Sequence, residues 1–217
     1  GEREPENVIS VNGQGRASGE PDLAQIVVGV ETRAETAREA AEENAEKMSA
    51  VREALRGLGV DEKDIQTTNY TIQPELKFDQ FVKIEQRVIG YVVSNQVLIK
   101  VRDLDRVGEM LDAVTEAGAN NIFGISFTIE DMQPLLDAAR EQAVADARHK
   151  AQQLADFAGV RLGDLLNISE FSGGGPPPIF FERAALALGA GGEAAPPISP
   201  GTLEITVEVQ LSYEIEQ

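Results

Sequence analysis

Histidines, thiols and converging carboxylates are the common raw material of active centres, and this chain has few of them to offer. Its 217 residues include one histidine, His149, and no cysteine. A zinc site on paired histidines, an H-E-x-x-H helix and thiolate chemistry are therefore ruled out. His149 lies between Arg148 and Lys150 at the polar edge of a helical stretch, which suits a solvated side chain. The serines have no other imidazole to activate them. Gly13-Gln14-Gly15-Arg16-Ala17-Ser18-Gly19 has glycines spaced somewhat like a phosphate loop, but Glu20-Pro21-Asp22 and a strand come after it. A phosphate loop needs the free N–H groups of a helix start, so this stretch reads as a turn or bulge. Glu42 with Glu43, and Asp103 with Asp105, read as a solvated face and a helix cap rather than an acid–base pair. No catalytic residue, metal ligand or cofactor is expected, and an enzyme is not the expected class.

The sequence offers contact chemistry instead. From Ser172 to Gly201 run Gly173-Gly174-Gly175, Pro176-Pro177-Pro178, Ile179-Phe180-Phe181, an alanine- and leucine-containing stretch, Gly191-Gly192 and Pro196-Pro197. Roughly thirty residues is long for a connection inside a domain, and such loops are usually functional. Each large apolar side chain left in water forgoes about 1.5–3 kcal/mol. Pro176, Pro177, Pro178, Ile179, Phe180 and Phe181 are thus expected either to cover an end of the chain's own sheet or to meet another surface, a neighbouring subunit or a ligand.

The elements that must position this loop can be derived from periodicity. Val88 to Val101 places Tyr91, Val93, Val97, Ile99 and Val101 on one face, broken only by Asn95, the pattern of a half-buried strand. A helix is expected from Asp103, with Leu104, Val107, Leu111 and Val114 on one stripe and Gly118 as its end. Phe123, Ile125, Phe127 and Ile129 then alternate as a strand. Upstream, strands are expected from Val8 and over Leu23–Glu31, then a helix from the capping pair Thr36 and Glu39 with Ala41, Ala45, Met48, Val51, Leu55 and Leu58 buried. Ile65–Gln73 is strand-like, and Glu75–Arg87, with Phe78 and Phe81, reads as a hairpin arm or loop. Downstream, Asp131 starts a helix to Ala158 whose stripe is Leu136, Ala139, Ala143, Ala147, Ala151, Leu154 and Ala158. Leu165–Phe171 forms a strand, and Leu203 to Ile215 alternates for seven apolar steps. Gly59-Val60 and Gly159-Val160 end two long helices at an offset of 100 residues. That fits two diverged copies of a helix–strand unit, or chance similarity of two helix ends.

The chain carries 37 acidic and 19 basic residues, a formal charge of −18, which opposes nucleic acid and anionic lipid. No apolar run approaches the ~18 residues of a membrane-crossing helix. Gly1 to Glu6 shows no leader pattern, so the chain is either cytosolic or numbered from after a removed leader.

Several of these words occur together in a known family. Val11-Asn12-Gly13-Gln14-Gly15, Gly59-Val60-Asp61-Glu62-Lys63-Asp64-Ile65, Gly90-Tyr91-Val92-Val93-Ser94-Asn95, Val101-Arg102-Asp103-Leu104-Asp105, Ala117-Gly118-Ala119-Asn120-Asn121-Ile122 and Pro200-Gly201-Thr202-Leu203-Glu204-Ile205 resemble, in order and spacing, the SIMPL domain family of bacterial cell-envelope proteins. The resemblance runs from about residue 8 to 215. It implies a shared fold, export to the periplasm or envelope and a link to stress defence, but no settled biochemistry.

The expectation is an α+β fold, three helices layered on mainly antiparallel sheet in the order ββ-α-ββ-α-β-α-ββ. Residues 1–7 are a flexible segment, 8–217 one domain, and 172–201 its long loop. The leading functional expectation is a non-catalytic envelope protein that forms a homo-oligomer, without nucleic acid or a transmembrane segment. The rival is a periplasmic small-molecule or glycan binder with 172–201 as a lid.

Overall fold

The computed structural model describes residues 7–77, 87–171, 179–181 and 199–216. Along the chain they form β1 (Val8–Gly19), β2 (Leu23–Ala34), α1 (Ala37–Gly57), β3 (Ile65–Lys77), β4 (Arg87–Val101), α2 (Val107–Glu116), β5 (Asn121–Thr128), α3 (Gln133–Ala158), β6 (Arg161–Glu170), β7 (Ile179–Phe181) and β8 (Thr202–Glu216). The fold is α+β as expected, with every strand pairing antiparallel. The expected order holds with one addition, the short β7 inside the long loop. Phe78 and Phe81, and Pro176 to Pro178, lie outside the described residues.

The elements divide into two compact units, each with its own core. One contains β2, α1, β3, β4, α2 and β5. Its strands run in the order β3-β4-β2-β5, and α1 packs on the two central strands. Alternation puts Ala24, Ile26, Val28 and Val30 of β2 opposite Val101, Ile99, Val97 and Asn95 of β4, facing Met48, Val51 and Leu55 of α1 and Val107, Met110 and Val114 of α2. The capping box forms as its spacing required: the Glu39 N–H donates to Thr36 Oγ1 at 3.2 Å and the Thr36 N–H to Glu39 Oε2 at 3.3 Å. The first turns of α1 are rotated from expectation, however. Ala40 and Asn44 are buried in place of Ala41 and Ala45. Asn44 fits there because its Nδ2 donates to the carbonyls of Val30 at 2.8 Å and Val93 at 3.3 Å.

Two further expectations in this unit are corrected. Asp103 makes no side-chain cap; a 3-10 turn at Leu104–Arg106 intervenes and α2 starts at Val107. Phe123 does not share a face with Ile125 and Phe127. A bulge opposite Val27 and Val28, with Gly124 at φ +154°, turns Phe123 outward against Gly29, and an added residue reverses the faces of a strand.

The other unit contains β1, α3, β6, β7 and β8. The long alternation of Leu203 to Ile215 makes β8 its central strand, paired with β1 along one side and with β6 and β7 along the other. α3 lies over β1 and β8. Its fully buried stripe is Ala139, Ala143, Ala147, Ala151 and Ala155, so Leu154 and Ala158 are not part of it and Leu154 is exposed. The stretch expected to turn at Gly13 and Gly15 is continuous strand. A Cβ at Gly13 would collide with the Ala143 carbonyl oxygen, and one at Gly15 with that of Ala139. The glycines therefore serve close approach of helix to strand, not a turn.

The helices α1, α2 and α3 end alike. The N–H groups of Val60, Ala119 and Val160 donate five residues back, to Leu55, Val114 and Ala155, at 2.9–3.0 Å. Gly59, Gly118 and Gly159 take the left-handed position between. Because α2 shares it, this ending is a general device and does not single out the pair at offset 100.

Candidate functional site

The sheet in the β8 unit has two edges, and the chain treats them differently. Along β1 the outward backbone groups are met by side chains four residues apart on α3. The Arg16 N–H donates to Gln142 Oε1 at 2.6 Å, the Gln14 N–H to Asp146 Oδ2 at 2.9 Å, and Lys150 Nζ donates to the Asn12 carbonyl at 3.1 Å. Lys150 also pairs with Asp146 at 2.6 Å. Both bonds, Lys150 first and the Gln14 N–H second, hold the Asp146 carboxyl below its usual range. The glycines at 13 and 15 make this possible by letting α3 sit low enough to reach the edge.

Among the described residues no such set of side chains seals β6, which α3 touches only in part. A helix about 10 Å across spans roughly two strands at ~4.8 Å spacing, and α3 lies on β1 and β8. Leu165 and Ile168 pair with Tyr213 and Leu211, so they share the α3 side of the sheet, yet they are 42% and 55% exposed. Leu166 and Phe171 are also about half exposed. Two register shifts, between Leu162 and Leu165 and between Leu165 and Asn167, break alternation and bring the adjacent leucines out together. An ion pair borders the strip: Arg140 Nε donates to Glu170 Oε2 at 2.8 Å, and this bond holds the Glu170 carboxyl below its usual range.

Of the six contact residues expected from the sequence, Ile179, Phe180 and Phe181 form β7, in register with Glu204, Leu203 and Thr202. That is the β6 side of β8. Pro176, Pro177 and Pro178 lie outside the described residues. The strip itself is not among the contact residues expected from the sequence. The strand over Leu165–Phe171 is expected, and its one local sign of an outward-turned pair is the break in alternation at Leu165-Leu166.

The second feature is a cavity of about 490 Å³ in the β2–β5 unit. Its walls are the turn after α1 (Leu58, Val60, Asp61, Lys63, Asp64), the end of β4 with the turn beyond it (Lys100, Arg102, Asp103, Arg106), and Met110 of α2. Asp64 is the buried charge here. Arg102 grips it with both terminal nitrogens, at 2.7 and 3.3 Å, and this hydrogen bonding, opposed by burial, holds its carboxyl below the usual range. Arg106 is fixed by the Leu58 carbonyl at 2.8 Å and by Glu109 at 3.0 Å. Nothing local in the sequence marks this site, because its cations come from two stretches brought together only when β3 and β4 pair.

His149 is exposed on α3. Among the described residues no group of three or more histidines, aspartates and glutamates is arranged to hold a metal, and no helix is long and apolar enough to cross a membrane.

Comparison with known proteins matches residues 9–213 to the SIMPL family, described as protein of unknown function (DUF541). The 26 kDa periplasmic immunogenic protein of Brucella melitensis is 35% identical over 211 residues, 96% of this chain and 84% of its own length. The uncharacterized protein YggE of Escherichia coli K12 is 26% identical over 160 residues, 74% of this chain and 64% of its own. A Xenopus laevis homolog of interleukin-1 receptor-associated kinase 1-binding protein 1 is 26% identical over 167 residues, 75% of this chain and 62% of its own.

Proposed function

The chain belongs to the SIMPL family, and from that premise we propose that it is a non-catalytic periplasmic protein of the bacterial envelope that associates with a second copy of itself through the β6 strip. The periplasmic address is supported by the name of the Brucella relative. The observation that carries self-association is the unequal treatment of two edges of one sheet. Chains close exposed edges to prevent unwanted pairing; here α3 closes β1, while the β6 side keeps Leu165, Leu166, Ile168 and Phe171 in water. A second copy approaching about a two-fold axis presents the same strip, so the contact is self-complementary and closes. The bulges oppose a regular backbone ladder, so side-chain packing carries the contact. Ile179–Phe181, as β7, extends the same side of β8. A link to stress defence rests on family resemblance alone.

The test is native mass by light scattering at micromolar concentration. The expected result is at least twice the 23.4 kDa of one chain, reduced by Leu166→Ser with Ile168→Ser and by Phe180→Ser with Phe181→Ser. A monomeric mass that none of these substitutions changes overturns the proposal. The rival reading, a small-molecule or glycan binder with 172–201 as a lid, falls largely on residues outside the described ones; the cavity in the β2–β5 unit supports a small-molecule site lined by none of them.

A further inference from the structure

The chain as a whole carries about two acidic residues for each basic one, yet the cavity beside α1 has a slight excess of basic residues. Lys63, Lys100, Arg102 and Arg106 line it against Asp61, Asp64 and Asp103. In a polypeptide with a formal charge of −18, a cavity wall of net positive charge is a place where the surrounding field is locally opposed.

Most of these charges are already committed to one another. Arg102 is spent on Asp64, and Arg106 on Glu109 and the Leu58 carbonyl. Lys63 stands 3.6 Å from Asp61, too far for a hydrogen bond. Lys100 lines the same wall and acts on the Asp64 carboxyl only through space, behind the Arg102 hydrogen bonds. Its ammonium has three donors to offer a ligand. Asp103 is the uncommitted anion on the same wall, and it faces Arg106 electrostatically. Leu58, Val60, Val101 and Met110 supply apolar lining, and the volume falls within the range of small-molecule sites.

We infer that this cavity binds a small oxyanion, a compound bearing a phosphate or carboxylate group, with Lys100 and Lys63 as its contacts. The two arginines, locked by Asp64, Glu109 and the Leu58 carbonyl, shape the wall and add positive potential without moving. The carboxylates of Asp61 and Asp103 limit the charge the site accepts, so a compact ligand of one or two negative charges fits better than a polyanion. This site stands independently of self-association through β6.

Calorimetric titration of the full chain with inorganic phosphate, and separately with succinate, tests the inference at fixed ionic strength set by chloride. The expected result is saturable one-to-one binding of at least one probe. Phosphate alone assigns the phosphate class, succinate alone the carboxylate class, and both the shared chemistry. Lys100→Gln should weaken that binding at least fivefold, and Lys63→Gln should weaken it by a smaller factor. Lys77→Gln, at the opposite end of β3, should leave it unchanged. Neither probe saturating up to tens of millimolar overturns the inference, as does Lys100→Gln binding like the unaltered chain or Lys77→Gln losing as much. Circular dichroism of each variant confirms that a loss reflects the site and not the fold.

Discussion

The two compact units solve the same problem, covering one face of an antiparallel sheet, with opposite materials. In the β2–β5 unit two helices bring leucine, valine and methionine side chains onto branched residues of β2 and β4. In the β8 unit a single helix presents only alanines along its buried stripe and comes down onto glycines. The first arrangement fills a thick layer with side chains. The second trades that layer for proximity, which lets polar side chains on α3 seal the β1 edge but leaves one helix too narrow to shade β6. The difference lies in the thickness of the layer, and the exposed strip is its consequence.

The contrast implies opposite sensitivities, which substitutions can break. Removing methyl groups should hurt the thick layer most. Leu55 is fully buried, so Leu55→Ala should cost about 2–5 kcal/mol, read from urea unfolding of the β2–β5 unit by hydrogen exchange. Adding a methyl should hurt the thin layer. Gly15→Ala should cost about 1–3 kcal/mol through forced separation of α3 from β1. An ordinary strand glycine would gain from the same change, so a stabilised Gly15→Ala protein would mean that the helix does not rest on the strand backbone. Smaller again, Thr36→Ala should remove about 1 kcal/mol by opening the capping box of α1, measured as a shift of the same unfolding midpoint.

The weakest effect concerns acid. Asp64 has its folded-state pKa lowered, chiefly by the Arg102 hydrogen bond, so the folded form binds this proton less readily than the unfolded one. Its stabilising contribution is present above the unfolded carboxylate pKa and fades as pH falls through the depressed folded value. Asp64→Asn should therefore flatten the acid limb of stability in the β2–β5 unit and leave that of the β8 unit intact. An unchanged acid limb would show that the pair with Arg102 contributes nothing to folding.

Much of the fold is legible in the residues. The seven-step alternation to Ile215 announces the strand at the centre of its sheet, because no other period accounts for it. Thr36 and Glu39 announce the start of α1, and glycines 59, 118 and 159 the helix ends, since these depend on local chemistry alone. The alanine stripe is legible, but its meaning is not. Gly13 and Gly15 look like a turn until a helix more than a hundred residues later is placed on them, and contacts at that separation leave no local mark. For the same reason the Gln142, Asp146 and Lys150 spacing gives no hint of a sealed edge. The phase errors at Asn44, Phe123 and Leu154 arise where a buried amide, a bulge or a small residue displaces the side chain that hydrophobicity alone would choose. The cavity is invisible in the sequence because Lys63 and Lys100 become neighbours only through the pairing of β3 with β4.

The most direct experiment is hydrogen–deuterium exchange of the 161–171 segment as a function of protein concentration. If a second copy covers the strip left bare by α3, protection there should rise with concentration and fall back in the Leu166→Ser, Ile168→Ser protein, while β1, sealed within its own chain, exchanges at a constant rate. Exchange at 161–171 that stays the same from nanomolar to tens of micromolar would contradict it.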